Sequence, residues 1–167
     1  MISQRMGDAI NEQVMWEMYS AYLYLSMSAY FESTGLRGFA HWMRVQAREE
    51  LGHAMKLYDH LVDRGYRITL LPIDAPPGEW NSPEQVFFET YEHEQKVTGL
   101  IDGLMQIARE ENDGASQQML RWFVDEQEEE EESALGALEK VRAAGGESER
   151  LAALDRELGQ RTFHAPE

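Results

Sequence analysis

Apolar residues recur at three- and four-residue spacing through four long stretches of the chain, and the residues that break this rhythm cluster at a few points. Gly7 alone interrupts the stretch from about Ser3 to Ser33, Thr34-Gly35 ends it, and a second stretch runs from Arg37 to Arg64 with Gly65 as its stop. Residues 66–81, YRITLLPIDAPPGEWN, hold Pro72, Pro76, Pro77 and Gly78 and predict an extended connection. Ser82-Pro83-Glu84-Gln85 supplies an N-cap serine, a proline at the first helical position and a capping-box glutamine, so a third helix starts at 83 and runs to about Asn112. The Asn112-Asp113-Gly114 turn leads to a fourth helix over about 115–144, ended by Gly145-Gly146. Ser148 can cap a fifth segment, 148–158, whose Leu151, Leu154 and Leu158 form one stripe. A helix that short is marginal in water and is expected to dock on the others. Residues 159–167 remain as a tail.

Loop lengths select the topology. The short turns at 34–36 and 112–114 make helices one and two, and three and four, antiparallel neighbours. A second helix over 37–64 is roughly 42 Å long at ~1.5 Å per residue. The connection over 65–82 reaches up to ~60 Å when extended, enough to return along the whole bundle. The expected fold is all-α: a single domain holding an up, down, down, up four-helix bundle with one long crossover and a short fifth helix.

Each apolar stripe admits polar intruders. Helix one reads Ile10, Val14, Ala21, Tyr24, Ser28, Phe31 around Glu17, and helix two reads Phe39, Trp42, Met43, Leu57, Leu61 around Glu50 and His53. Helix three reads Val86, Phe87, Val97, Ile101, Met105 around Glu94, and helix four reads Leu120, Phe123, Ala134, Leu138, Val141 around Gln127 and Glu130. Folding the first hairpin about residue 35 sets Glu17 level with residue 53, and folding the second about residue 113 sets Glu94 level with residue 132. Taken singly, a stripe glutamate is a boundary residue and a stripe histidine a satisfied core residue. Four glutamates and a histidine brought level by two hairpins form a different object.

Four carboxylates in a low-dielectric centre would stay protonated or break the core unless cations compensate them. Two divalent ions balance −4 with +4, so neutrality favours a dinuclear site. The Glu50-x-x-His53 spacing puts both side chains on one helix face. Composition narrows the metal: the chain contains no Cys, leaving oxygen and imidazole donors, a set that suits iron or manganese better than zinc or copper(I). Two Fe(II) ions side by side can give two electrons to one dioxygen. The net charge of −16 over 167 residues repels nucleic acid and anionic membrane surfaces and favours cations as guests. No signal-like segment and no run of eighteen apolar residues occurs, and the expected compartment is the cytoplasm.

The segments NEQVMWEMYSAYLY, REELGHAMKLYDHLVDRG, ETYEHEQ and WFVDEQEEEE resemble those of bacterial non-haem ferritins, and the resemblance extends to about Leu158. It implies a ferroxidase centre with Glu17, Glu50 and His53 on one iron, Glu94 and Glu130 on the other, and Glu50 bridging. Tyr24 and Gln127 would be close neighbours acting in catalysis. Glu49, Glu126, Glu129 and Glu130 match a nearby third iron site. It also implies a hollow shell of 24 subunits storing ferric mineral, with O2 or H2O2 as oxidant and the fifth helix near a fourfold axis. Bacterioferritins carry a second Glu-x-x-His where this chain has Gln127-x-x-Glu130, and a haem-binding methionine where it has Leu51, so no haem is expected. Rubrerythrins append a cysteine-ligated iron domain, and mini-ferritins set their ligands between subunits. Three other readings stay open at this stage: a di-iron or di-manganese enzyme acting on an organic substrate, a bacterioferritin-type haem shell, and a purely structural four-helix assembly subunit. Gly52, inside the second helix, has no role legible in the sequence.

Overall fold

The computed structural model describes residues 1–166, in which the elements run α1 (Gln4–Ser33), α2 (Arg37–Asp63), α3 (Pro83–Glu110), α4 (Gly114–Ala144) and α5 (Ser148–Leu158). Local chemistry sets most of these ends. Ser3 and Ser82 cap α1 and α3 by accepting from the backbone N–H groups of Met6 and Gln85, and Asp113 caps α4 by accepting from that of Ser116. The expected capping box is shifted by one residue: the Gln85 side chain takes the N–H of Asn81 at 2.9 Å instead of that of Ser82. Ser148 is the first residue of α5, and Glu147 precedes it at the cap position without a side-chain bond.

Side-chain pairs across the bundle fix its topology. Ser20 meets His93 and Met27 meets Thr90, so α1 and α3 are antiparallel; Gln46 meets Glu130, His60 meets Ser116 and Arg64 meets Asp113, so α2 and α4 are antiparallel as well. With the two hairpins this gives the up, down, down, up order. The crossover runs along α1, held at one end by two hydrogen bonds between Asn11 and Thr69 (2.8 and 3.0 Å) and farther along by Ser26 donating to the Pro77 carbonyl.

α5 docks through a contact that sequence periodicity does not reveal. The N-cap residue of α2, Leu36, offers no side-chain bond, and Asp155 of α5 accepts from the Phe39 N–H at 2.9 Å in its place. That approach needs Gly38, where a Cβ would stand 1.6 Å from the Asp155 carbonyl oxygen. Leu154 and Leu158 are buried as a result.

Every residue of the four stripes is buried, but the core they form is divided. One apolar cluster gathers Tyr24, Phe31, Phe39, Trp42, Phe87 and Leu138; the other gathers Ile10, Val14, Leu57, Ile101, Leu120 and Phe123. Along each helix, the residues between these clusters are the intruders: Glu17, Glu50 and His53, Glu94, and Gln127 with Glu130.

Candidate metal centre

The two hairpins deliver their intruders to one place. Glu17 is fully buried, as is Glu94; Glu50 and His53 are 1% and 2% exposed, and Glu130 is 5% exposed. Their donor atoms form overlapping groups, each within 4.8 Å: Glu17, Glu50 and His53; Glu50, Glu94 and Glu130; and His53, Glu126 and Glu130. Glu50 belongs to the first two groups, and so stands where a carboxylate can bridge two ions. The i, i+3 spacing on α2 brings His53 Nδ1 to 3.2 Å from Glu50 Oε2.

Burial and crowding act on these groups together. Burial first, then the Glu94 charge, hold Glu50 well above the usual carboxylate range; the same two causes push Glu130 up to about 8. Burial also raises Glu94. Burial alone would push the His53 imidazole down, but the Glu50 charge and hydrogen bonds to Glu126 and Glu50 override it and hold His53 well above its ordinary value. Glu50, Glu94, Glu130 and the imidazole therefore hold protons that cations would replace. Among the described residues, Glu17 Oε2 and Gln46 Oε1 are buried without a hydrogen-bond partner, the state expected of donors built for an ion. Oxygen donors with one imidazole and no sulfur fit iron.

A surrounding set of side chains fixes the carboxylates. The Tyr24 hydroxyl, fully buried, donates to Glu94 Oε1, and Gln127 Nε2 donates to Glu94 Oε2 at 3.3 Å and to Thr98 Oγ1 at 3.2 Å. Burial and the Glu94 charge hold the Tyr24 phenol well above its ordinary value, so it stays a donor. Two residues of this set were not singled out in the sequence. Gln46 Nε2 donates to Glu130 Oε2 at 2.5 Å and lies 3.4 Å from both Glu50 and Glu94; Gln13 Nε2 donates to Glu17 Oε1 at 2.9 Å. Gln46 continues the α2 stripe one turn before Glu50, a signal that was available. His93 lies behind the centre: it is hydrogen-bonded to Ser20 and packed edge-on against Tyr24, and burial lowers it to about 4, so it is neutral.

The remaining acidic candidates line a cleft of about 640 Å³ that opens beside His53 and Glu130. Glu126 reaches 3.6 Å from His53 Nε2, and Glu129 is exposed. Glu49 is 7% exposed and already engaged: Oε2 takes the Arg161 guanidinium at 2.7 Å and Oε1 accepts from the His164 N–H at 3.3 Å. Among the described residues no helix is long and apolar enough to cross a membrane.

Known proteins are similar to the chain over nearly its whole length. The chain is similar to the bacterial non-heme ferritin of Bacteroides fragilis strain 638R, 46% identical over 161 residues that cover 96% of this chain and 100% of that protein. The Staphylococcus aureus strain USA300 protein of the same name is 34% identical over 163 residues, 98% of each. Among solved structures, an open pore ferritin from the archaeon Archaeoglobus fulgidus superposes with a TM-score of 0.96 at 49% identity, covering 97% of this chain and 100% of that one. A family model for the ferritin-like domain matches residues 7–144, and with these relatives it shows that the chain belongs to the ferritin family.

Proposed function

We propose that the chain is an iron-storage subunit that oxidises Fe(II) at the centre of its own bundle, in the cytoplasm, as part of a hollow 24-subunit shell that holds the ferric product. Iron is both substrate and cargo. Glu17, Glu50 and His53 hold one ion, Glu50, Glu94 and Glu130 hold the second, and Glu50 spans the pair; Glu126, Glu129, Glu130 and Glu49 serve a third ion in the adjoining cleft. Two Fe(II) ions each give one electron to O2, which takes up two protons and leaves as H2O2; H2O2 itself can accept two electrons in the same way. Tyr24 and Gln127 keep Glu94 turned toward the ions. Gln46 does the same for Glu130.

The observation that carries this reading is the shared donor set: overlapping groups of buried carboxylates and one imidazole, each within 4.8 Å, in the polar layer that divides the core. The adjoining cleft favours a cation over an organic substrate. Glu49, Glu126, Glu129 and Glu130 line it, where an organic substrate calls for apolar walls.

Replacing Glu50 and His53 by alanine tests the reading. Oxidation of added Fe(II) should slow at least about a hundredfold while the helical content holds, since both ions lose ligands. Unchanged oxidation would refute the assignment. Native mass tests the shell: assembly predicts 24 subunits, and a monomer or dimer at micromolar concentration would refute it.

A further inference from the structure

The tail, which the sequence leaves without a role, lies across the opening of the metal centre. After α5 ends at Leu158, Arg161 is fixed from three sides: it pairs with Glu49 at 2.7 Å, donates to the Trp42 carbonyl at 3.3 Å and stacks over the Trp42 ring at 4.2 Å. Its own carbonyl oxygen lies 2.7 Å from His41 Nε2. Phe163 then covers the Arg48 guanidinium at 4.1 Å, and the His164 N–H takes the second oxygen of Glu49. Pro166 lies against Gly52, where an added Cβ would stand 2.7 Å from the proline ring. A glycine inside a helix is less favourable than alanine, and at position 52 it leaves room for the tail.

The cleft under this segment has His53 and Glu130 at its floor and Glu126 and Glu129 on its α4 wall. Both oxygens of Glu49, which lines the same cleft, are therefore committed to the tail. We propose that residues 161–166 form a strap across the mouth of the cleft, and that the Arg161 guanidinium stands at Glu49 as a built-in cation that an incoming metal ion must displace. The inference rests on the metal-centre reading given above, and it makes Arg161 a positioning residue. With the strap docked, Glu49 neutralises arginine and the third ion has only the α4 acids. With the strap released, Glu49 becomes available and the third ion binds more tightly. Metal occupancy of the cleft and docking of the tail then oppose each other.

Anaerobic calorimetric titration of the assembled protein with Fe(II) tests this, using wild type, R161A, R161K, a chain ending at Gly159 and Gly52→Ala. Wild type should bind two Fe(II) per subunit tightly and a third weakly. R161A and the shortened chain should bind the third at least about tenfold more tightly, ~1.4 kcal/mol, with the first two unchanged. R161K, which keeps the positive charge but loses the guanidinium stacked over Trp42, should fall between wild type and R161A. Gly52→Ala, which lifts only the end of the strap, should fall between and covers the case in which the shortened chain fails to assemble. A third-ion affinity equal to wild type in R161A and Gly52→Ala would overturn the strap while leaving the centre intact. Absence of the two tight ions from wild type would overturn the metal-centre reading, and the strap with it.

Discussion

Raising the pH should destabilise the metal-free protein, and bound metal should abolish the effect. Glu130 is pushed up to about 8 by burial and by the Glu94 charge, against roughly 4.3 for an unfolded glutamate. Between pH 6 and 8 the folded chain thus holds close to one more proton at this group than the unfolded chain, and stability falls as pH rises. At ~1.36 kcal/mol per pH unit, and with half the protons gone at pH 8, Glu130 alone removes about 2 kcal/mol per subunit. Glu50 and Glu94 are raised in the same direction. His53 is raised too, and its contribution is present at low pH and lost as pH climbs through its folded value, so its sign agrees. For a domain of this length, 2 kcal/mol corresponds to about 4–8 °C in Tm. Scanning calorimetry at fixed protein concentration, with chelator or with a divalent cation, reads this directly. The metal-free Tm should drop by that amount from pH 6 to 8, and the loaded protein should show no drop, because its carboxylates are ionised at both pH values. E130Q should flatten the metal-free slope. A metal-free Tm that stays level or rises, or equal slopes with and without metal, would refute the charge reasoning.

Gln46→Leu removes the amide that holds Glu130 and approaches Glu50 and Glu94; at about 1.5–3 kcal/mol for a hydrogen bond to a charged group, metal affinity should fall at least about tenfold in a titration, with the fold retained. Gly38→Ala sets a Cβ against the Asp155 carbonyl oxygen and should undock α5, costing about 1–3 kcal/mol and opening residues 145–166 to limited proteolysis; a protease-resistant variant would contradict the docking geometry. Tyr24→Phe deletes the donor to Glu94 and should slow Fe(II) oxidation roughly tenfold without unfolding the bundle, an outcome that stopped-flow absorbance would check.

Helix periodicity, two tight turns and one long proline-rich connection were enough to read the bundle and its connectivity, because each signal is local. The level of the site was legible for the same reason: turn positions determine which residues face each other across a hairpin, and Glu17 does meet His53. Contacts made by irregular backbone were not legible. Nothing in a periodic pattern ties Asp155 to the start of α2, or Arg161 to Glu49, since both depend on the direction the chain takes after a glycine turn. Gln46 is hidden in the sequence for another reason. An amide in a stripe reads as a tolerated substitution until the carboxylates it holds are seen around it. Gly52 became intelligible only once Pro166 was placed against it.

Crystals of the assembled protein soaked anaerobically in Fe(II), with anomalous scattering collected at the iron edge, test the account at its centre. Two strong peaks per subunit are predicted in the polar layer, one among Glu17, Glu50 and His53 and one among Glu50, Glu94 and Glu130. A single peak there, or iron found only on exposed acidic side chains, would contradict it.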